Sequence, residues 1–198
     1  NDAGVELFER FVRLGGKFSV PTTVNPLSAD LEKEGSFRVP RPYEIKQRRI
    51  ARAFNALGGV PCWSCINYQF CNMPRRGENL AWSESGAVCY ANSVIGARAN
   101  RLSAGLDIAC GLIGLTPRFG YLLDDNRRGR LLVNVTASVR SDSDYHTLGY
   151  VVGKEVGTQV PVLEGLRPDI TPDQLKDSRW RCRSSWLGRN VPRGRCHV

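Results

Sequence analysis

The sequence contains no hydrophobic run long enough to cross a bilayer, and its first residues lack the pattern of a secretory signal peptide. It also contains no internal repeat. With 198 residues, 41% of them hydrophobic and 24% charged, its composition is that of an ordinary globular protein with a sizeable core. The chain begins with Asn1 rather than methionine, so the missing targeting segment says little about the complete protein.

Histidine is scarce, which limits the metal sites that the cysteines can complete. Cys62, Cys65 and Cys71 form a C-x2-C-x5-C cluster, a spacing that suits zinc or an iron–sulfur cluster bound through thiolates. A structural zinc site needs four ligands, but there is no second C-x2-C pair, and His146 and His197 lie far away in the sequence. We therefore expect no zinc ribbon, and at least one of these cysteines should be a small buried hydrophobic residue.

The number of cysteines, seven, is odd, and the chain is not a short secreted one. Most of these cysteines lie among apolar residues. We therefore expect reduced thiols in a reducing compartment, and a cytoplasmic location.

The net charge of +9 is concentrated near the C-terminus. Residues 177–198 hold six arginines and one aspartate, so the rest of the chain carries only +4. That part has no basic stripe interleaved with aromatic residues, which leaves RNA binding as a remote alternative. Residues 177–198 have neither helical nor strand periodicity. They are either a basic tail that binds a partner or the product of a shifted reading frame, and sequencing of the genomic locus would distinguish the two.

The spacing of apolar residues predicts alternating helices and strands, and therefore an α/β layered domain. Glycine pairs at positions 15–16 and 58–59 are expected to end two of the helices. The predicted helices cover residues 5–14, 45–57, 85–96, 102–115 and 145–156. The predicted strands cover residues 17–20, 60–68, 131–139 and 159–163.

The most informative segment is residues 77–101, in which Glu84 and Ser85 precede a run of compact residues and Arg98 follows it. Such a run suits backbone packed close to a small, anionic, hydroxyl-bearing ligand, but it equally suits a capped, alanine-rich helix. Ser85 is thus either a ligand contact or a helix N-cap, and Arg98 is either an anion contact or part of a surface ion pair. Glu84 is either an acid/base group or a first-turn carboxylate favoured by the helix dipole.

Several ordered motifs resemble the large-subunit portion of the aconitase X family, and together they cover about residues 20–176. The motifs are Asn25-Pro26, SCINYQ at 64–69, residues 77–101, GYLLD at 120–124 and PVLEGL at 161–166. The resemblance implies a layered aconitase-like α/β fold. Residues 1–176 would then be a partial catalytic domain, and residues 177–198 an aberrant basic tail.

The resemblance also implies a hydro-lyase that removes water from a small hydroxy acid such as mevalonate 5-phosphate or cis-3-hydroxy-L-proline. An iron–sulfur cluster or a mononuclear iron would serve as the Lewis acid. By its place in the motif, Cys65 resembles the first cluster-ligating cysteine of the family, and Asn25 and Pro26 resemble a substrate-contacting pair. Cys62 and Cys71 match no ligand and are expected to be structural.

Two features of the family pattern lie beyond this chain: two further ligating cysteines, and the small swivelling domain that provides a catalytic serine base. The resemblance therefore implies either a missing remainder or small-subunit partner, or a truncated remnant or interaction subunit without activity. We expect no membrane contact, and the charge distribution disfavours nucleic acid as a partner.

Overall fold

The computed structural model describes residues 2–35, 38–157, 159–177 and 195–197. Residues 195–197 are described by their backbone alone. Most of the predicted basic tail, residues 178–194 and 198, lies outside the described residues. The chain divides into two compact units, Asn1–Met73 with Gly105–Leu115, and Pro74–Ala104 with Thr116–Val198. Within the described ranges, no helix combines the length and the apolar character that a bilayer crossing requires.

The first unit is built from helices. Helix α1 spans Asp2–Arg13, α2 spans Arg41–Ala56 and α4, which follows two strands of the second unit in the sequence, spans Ala104–Ile113. The Phe54 ring, 2% exposed, lies between the rings of Phe18 and Trp63 at centroid distances of 5.4 and 5.7 Å. The buried apolar residues of this unit include Val5, Ala51, Ala53, Phe54, Leu57, Tyr68 and Cys110.

Two strands predicted in the first unit, at residues 17–20 and 60–68, are wrong. The backbone N–H groups of Phe18 and Ser19 donate instead to the carbonyl oxygens of Leu57 and Gly111. Of the second segment, only Val60 pairs, in a parallel bridge with Thr23. Pro61 follows at once and has no N–H to extend the pairing.

The second unit contains a two-stranded parallel sheet that the sequence analysis missed. Strand β1 spans Asn79–Trp82 and β2 spans Arg98–Arg101, with Asn79 opposite Arg98. The crossover between them contains helix α3, Ser85–Tyr90, and a π-helical turn, Ala91–Ile95. This confirms the predicted helix over 85–96, whereas the short and polar β2 carries no strand pattern to detect.

A second parallel sheet has the strand order β4-β3-β5. Strand β3 spans Leu131–Asn134, β4 spans Pro161–Glu164 and β5 spans Arg195–His197. Helix α5, Asp142–Val156, forms the β3–β4 crossover, and α6, Pro172–Asp177, follows β4. The core between α5 and the sheet contains Val133, Val135, Val139, Tyr145, Leu148, Val152 and Val156. Parallel strands joined by helices confirm the predicted α/β class.

Gly165 allows the chain to turn sharply after β4. Its φ is +91°, and a Cβ atom there would lie 2.4 Å from the carbonyl oxygen of Val135. Gly77 has a similar φ of +82° but no atom within 4 Å of the corresponding position. Position 165 therefore requires glycine both for its positive φ and for the lack of space for a Cβ atom. Position 77 requires glycine for its positive φ alone.

We predict that Gly165→Ala lowers the free energy of unfolding by about 2–4 kcal/mol, because the methyl group adds a backbone overlap to the unfavourable positive φ. Gly77→Ala should lower it by only about 1–2 kcal/mol. Urea unfolding followed by circular dichroism measures both. Equal losses in the two variants would contradict the close approach of Gly165 to Val135.

Candidate functional site

Glu84 and Ser85 follow the carboxyl end of β1, where α3 begins. Glu84 is the N-cap of α3, and its carboxylate accepts hydrogen bonds from the backbone N–H groups of Gly86, at 2.9 Å, and Ala87. The capping role considered for Ser85 therefore belongs to Glu84. Ser85 is exposed, and its hydroxyl makes no hydrogen bond within the described part of the chain.

Arg98 lies on β2, after the chain has left the helix through the π-helical turn and Gly96, whose φ is +75°. Its guanidinium donates to the carbonyl oxygen of Leu122 at 3.0 Å and pairs with Asp124 at 2.5 Å. Asp124 is largely exposed, with a side-chain accessibility of 76%. Arg98 thus makes the surface ion pair that the sequence analysis named as its alternative to an anion contact.

A buried polar network holds the segment between α3 and β2 in place. The Asn92 side chain donates to the carbonyl oxygens of Val88 and Ala99 and accepts the Ala99 N–H, which ties the helix to the strand. The Arg127 guanidinium donates to the Asn92 amide oxygen at 2.7 Å and to the carbonyl oxygen of Ala97 at 2.8 Å. Burial, with a smaller repulsion from Arg98, lowers the pKa of Arg127 to about 10.

The sequence analysis missed both members of this network. Asn92 is 6% exposed and Arg127 is 9% exposed. Asn92 stands in a run of small apolar residues, and a polar residue at such a place signals a buried hydrogen bond. Arg127 comes from a separate short helical turn, so no local pattern connects it to Asn92.

The first unit contains the other three candidates, Asn25, Pro26 and Cys65, which follow a parallel pairing of two backbone segments. Val60 N–H donates to the carbonyl oxygen of Thr22 at 2.8 Å, and both segments leave the Thr23–Val60 bridge in the same direction. Asn25 and Pro26 follow Thr23, and Cys65 follows Val60. All three candidates are exposed, and Cys65 is a free thiol. All three residues therefore follow the same, carboxyl-terminal end of this bridge.

The three cysteines of the C-x2-C-x5-C cluster do not act as one set. Cys62 and Cys71 are joined in a disulfide, with Cα atoms 6.5 Å apart. The expectation of reduced thiols is therefore wrong for this pair, whereas Cys65, Cys89 and Cys110 are not disulfide-bonded. The pair constrains the loop around Cys65, a structural use of these two residues.

Cys65 alone cannot hold a metal. Among the described residues, no group of three or more histidine, cysteine, aspartate or glutamate side chains has the arrangement of a metal site. A thiolate is a suitable iron ligand, so Cys65 fits as one member of a donor set. The described residues do not complete such a set.

A separate cleft of about 380 Å³ opens at the carboxyl ends of β3 and β4. It is lined by Ala137, Ser138, Val139, Arg140, Gly165, Leu166 and Arg167. Arg167 is already paired with Asp169 through a 2.9 Å hydrogen bond, and the backbone N–H of Arg140 donates to Asp144. Asp169 therefore balances the charge of Arg167, whereas the Arg140 guanidinium donates to the Ser138 hydroxyl rather than to a carboxylate.

Two consecutive protein-family models match the chain. The model described as aconitase X first domain matches residues 1–125, and the one described as aconitase X second domain matches residues 129–178. Together they cover almost all of the described residues.

Curated relatives and a solved structure agree with these matches. The chain is 38% identical over 170 residues to the phosphomevalonate dehydratase large subunit of Thermococcus kodakarensis, covering 86% of this chain and 42% of that protein. It is 38% identical over 167 residues to the cis-3-hydroxy-L-proline dehydratase of Pseudomonas aeruginosa, covering 83% and 29%. The holo-form crystal structure of aconitase X from Thermococcus kodakaraensis superposes with a TM-score of 0.82 at 31% identity, covering all of this chain and 53% of that chain. The chain thus spans less than half the length of these curated relatives.

We predict that Arg127→Met destabilises the protein by about 2–4 kcal/mol, because the Ala97 carbonyl oxygen and the Asn92 amide oxygen both lose a buried, charged hydrogen bond from the guanidinium, and Asn92 keeps only the bond from the Ala99 N–H. Arg128→Met is the matched control, since Arg128 is 75% exposed and pairs only with the exposed Asp125 in the described structure. Its loss should stay below about 1 kcal/mol. Urea unfolding measures both variants, and a similar small loss in each would contradict the buried network.

Proposed function

Because this chain belongs to the aconitase X family, we propose that the protein it comes from removes water from a small hydroxy acid. The curated relatives are dehydratases, and their names point to mevalonate 5-phosphate and cis-3-hydroxy-L-proline as the substrates to test. The observation that carries the proposal is the placement of its residues. Asn25, Pro26 and Cys65 in the first unit, and Glu84 and Ser85 in the second, follow the carboxyl end of a parallel pairing, where α/β proteins bind ligands. Arg98 is the exception, since it is the first residue of β2.

The side chains of this chain have complementary uses in such an elimination. Ser85 offers an exposed hydroxyl whose hydrogen-bonding capacity is not used by the described residues. Glu84 is the acid/base candidate, since a carboxylate that accepts two backbone N–H groups keeps further lone pairs for a substrate proton. Asn25 supplies an amide for a carboxylate or hydroxyl group, and Pro26 fixes the backbone next to it. Arg98 keeps N–H donors beyond its bonds to Leu122 and Asp124.

The proposed cofactor is an iron–sulfur cluster or a mononuclear iron. When bound, it would supply a Lewis acid for the leaving hydroxyl group. Cys65 would provide one thiolate ligand, and its exposed sulfur is accessible for that purpose. We assign the other ligands to parts of the protein outside this sequence, and a small subunit is the proposed partner, in keeping with the name of the Thermococcus kodakarensis relative.

The alternative is a truncated copy that keeps the fold without the activity. This alternative requires that no other part of the protein supplies the ligands that would complete the set with Cys65. Assays therefore require the complete protein, with its small subunit where one exists.

We predict that Ser85→Ala lowers kcat/KM for water elimination about 10–100-fold, the effect of one lost hydrogen bond to a charged group. Its melting temperature should not change, because this hydroxyl is exposed and makes no bond in the described structure. Ser143→Ala is the control, since Ser143 is likewise exposed in the first turn of a helix. Equal activity of the two variants in the complete protein would contradict a role for Ser85.

Glu84→Gln separates capping from proton transfer. The amide oxygen can still accept an N–H bond at the start of α3, so stability should change little. If the carboxylate moves a proton, kcat should fall about 10²–10⁴-fold. Unchanged kcat at unchanged stability would assign Glu84 to capping alone.

The role of Cys65 is tested by iron analysis of complete protein purified without oxygen. Cys65→Ala should lower the iron content to about a tenth or less, because loss of a ligand costs at least as much as loss of an outer-sphere partner. Cys110→Ala is the control, since Cys110 is a buried thiol of the same unit. Retention of iron by Cys65→Ala would remove this residue from the proposed ligand set.

A further inference from the structure

The Cys62–Cys71 disulfide closes a loop that presents Cys65. We call residues 62–71 the disulfide loop. Cys65 is exposed and is not bonded to either of the other two cysteines. Because both ends of the loop are tied together, the position of the Cys65 sulfur depends on whether that bond is intact.

The start of the disulfide loop is anchored in the core under conformational strain. Trp63 has a φ of +44° and is the one non-glycine residue with positive φ among those described. A side chain in this conformation costs about 1–3 kcal/mol and persists only where its surroundings enforce it. The Trp63 ring packs on Phe54, and the disulfide at the neighbouring Cys62 adds the second constraint.

The end of the loop is held by a small set of hydrogen bonds. The backbone N–H groups of Cys71 and Asn72 both donate to the carbonyl oxygen of Asn67, at 2.8 and 2.9 Å, and Gln69 N–H donates to Ile66. Tyr68 is 4% exposed and fixes the middle of the turn in the core. These bonds lie at the surface, so they open readily once the covalent closure is removed.

The bond is accessible to a reductant, since Cys71 is exposed and Cys62 is partly exposed. Accessible disulfides are the ones that exchange with external thiols. We propose that the Cys62–Cys71 disulfide is a thiol-reducible lock on the loop that presents Cys65, and that dithiol reductants release this loop. This proposal deepens the proposed function. It rests on that function for one point alone, the role of Cys65 as a metal ligand.

The reaction is a thiol–disulfide exchange with a dithiol. One thiolate of the reductant attacks the exposed Cys71 sulfur, the Cys62–Cys71 bond breaks, and Cys62 leaves as a thiolate that takes up a proton. The second thiol of the reductant then loses its proton and attacks the mixed disulfide, and Cys71 leaves. The protein gains two thiols, and the reductant becomes a disulfide.

Hydrogen exchange of the oxidised chain, with and without dithiothreitol, tests the lock. A disulfide that closes a loop of this length lowers the conformational entropy of the open loop. Its removal should raise the population of the open loop by roughly a hundredfold. Reduction should therefore speed exchange of the Gln69, Cys71 and Asn72 amides by up to about 100-fold. Peptides covering residues 79–101 serve as the internal control and should not change.

Two variants separate the lock from the thiol it presents. The double variant Cys62→Ser, Cys71→Ser should exchange fast in both conditions, whereas Cys65→Ser should respond to dithiothreitol as the unmodified chain does. If the double variant does not fold, the comparison of the unmodified chain with and without dithiothreitol is sufficient to test the lock.

Either of two results would overturn the proposal. One is a peptide map of the oxidised, alkylated chain in which Cys62 and Cys71 are not linked to each other. The other is loop exchange that reduction leaves unchanged. Neither result depends on iron, so the lock and the metal role of Cys65 can fail separately.

Discussion

Parallel pairing between distant segments is the constraint on which this molecule depends. Two parallel strands leave their pairing from the same end, so the residues that follow them emerge on one side. In the first unit, the bridge between Thr23 and Val60 directs Asn25 and Cys65 in this way. In the second unit, the β1–β2 pair places Glu84 and Ser85 after a carboxyl end, although this pair is only four residues long.

The compact residues between Glu84 and Arg98 have a packing explanation. Ala91, Ala97 and Ala99 are fully buried, and they pack with Val88 against Leu80, Trp82 and Ile95. Small side chains let the helical segment lie close to a sheet of two strands, and the Asn92–Arg127 network ties the two together. The alanine-rich helix thus explains the interior of this segment. Packing does not explain the exposed Ser85 at its start, for which we propose contact with a ligand.

The fold class was predictable because helical periodicity is strong over the long amphipathic segments, and the glycine at position 15 ended α1 as expected. The strands were harder to predict from the sequence. Arg98–Arg101 is polar at both ends, and its strand conformation comes from pairing with β1 rather than from its own residues. The Arg127 contact joins residues 35 positions apart, and no pattern within a single element encodes it. The disulfide was missed because composition suggested thiols, whereas the turn through Trp63 brings Cys62 and Cys71 together.

The central claim is that the Cys65 thiolate binds the catalytic iron of a dehydratase to which this chain contributes. Anomalous diffraction at the iron edge, from crystals of the complete protein prepared without oxygen, tests it most directly. The account predicts an iron peak within bonding distance of the Cys65 sulfur. Iron held elsewhere, with this sulfur facing solvent or carbon atoms alone, would contradict it.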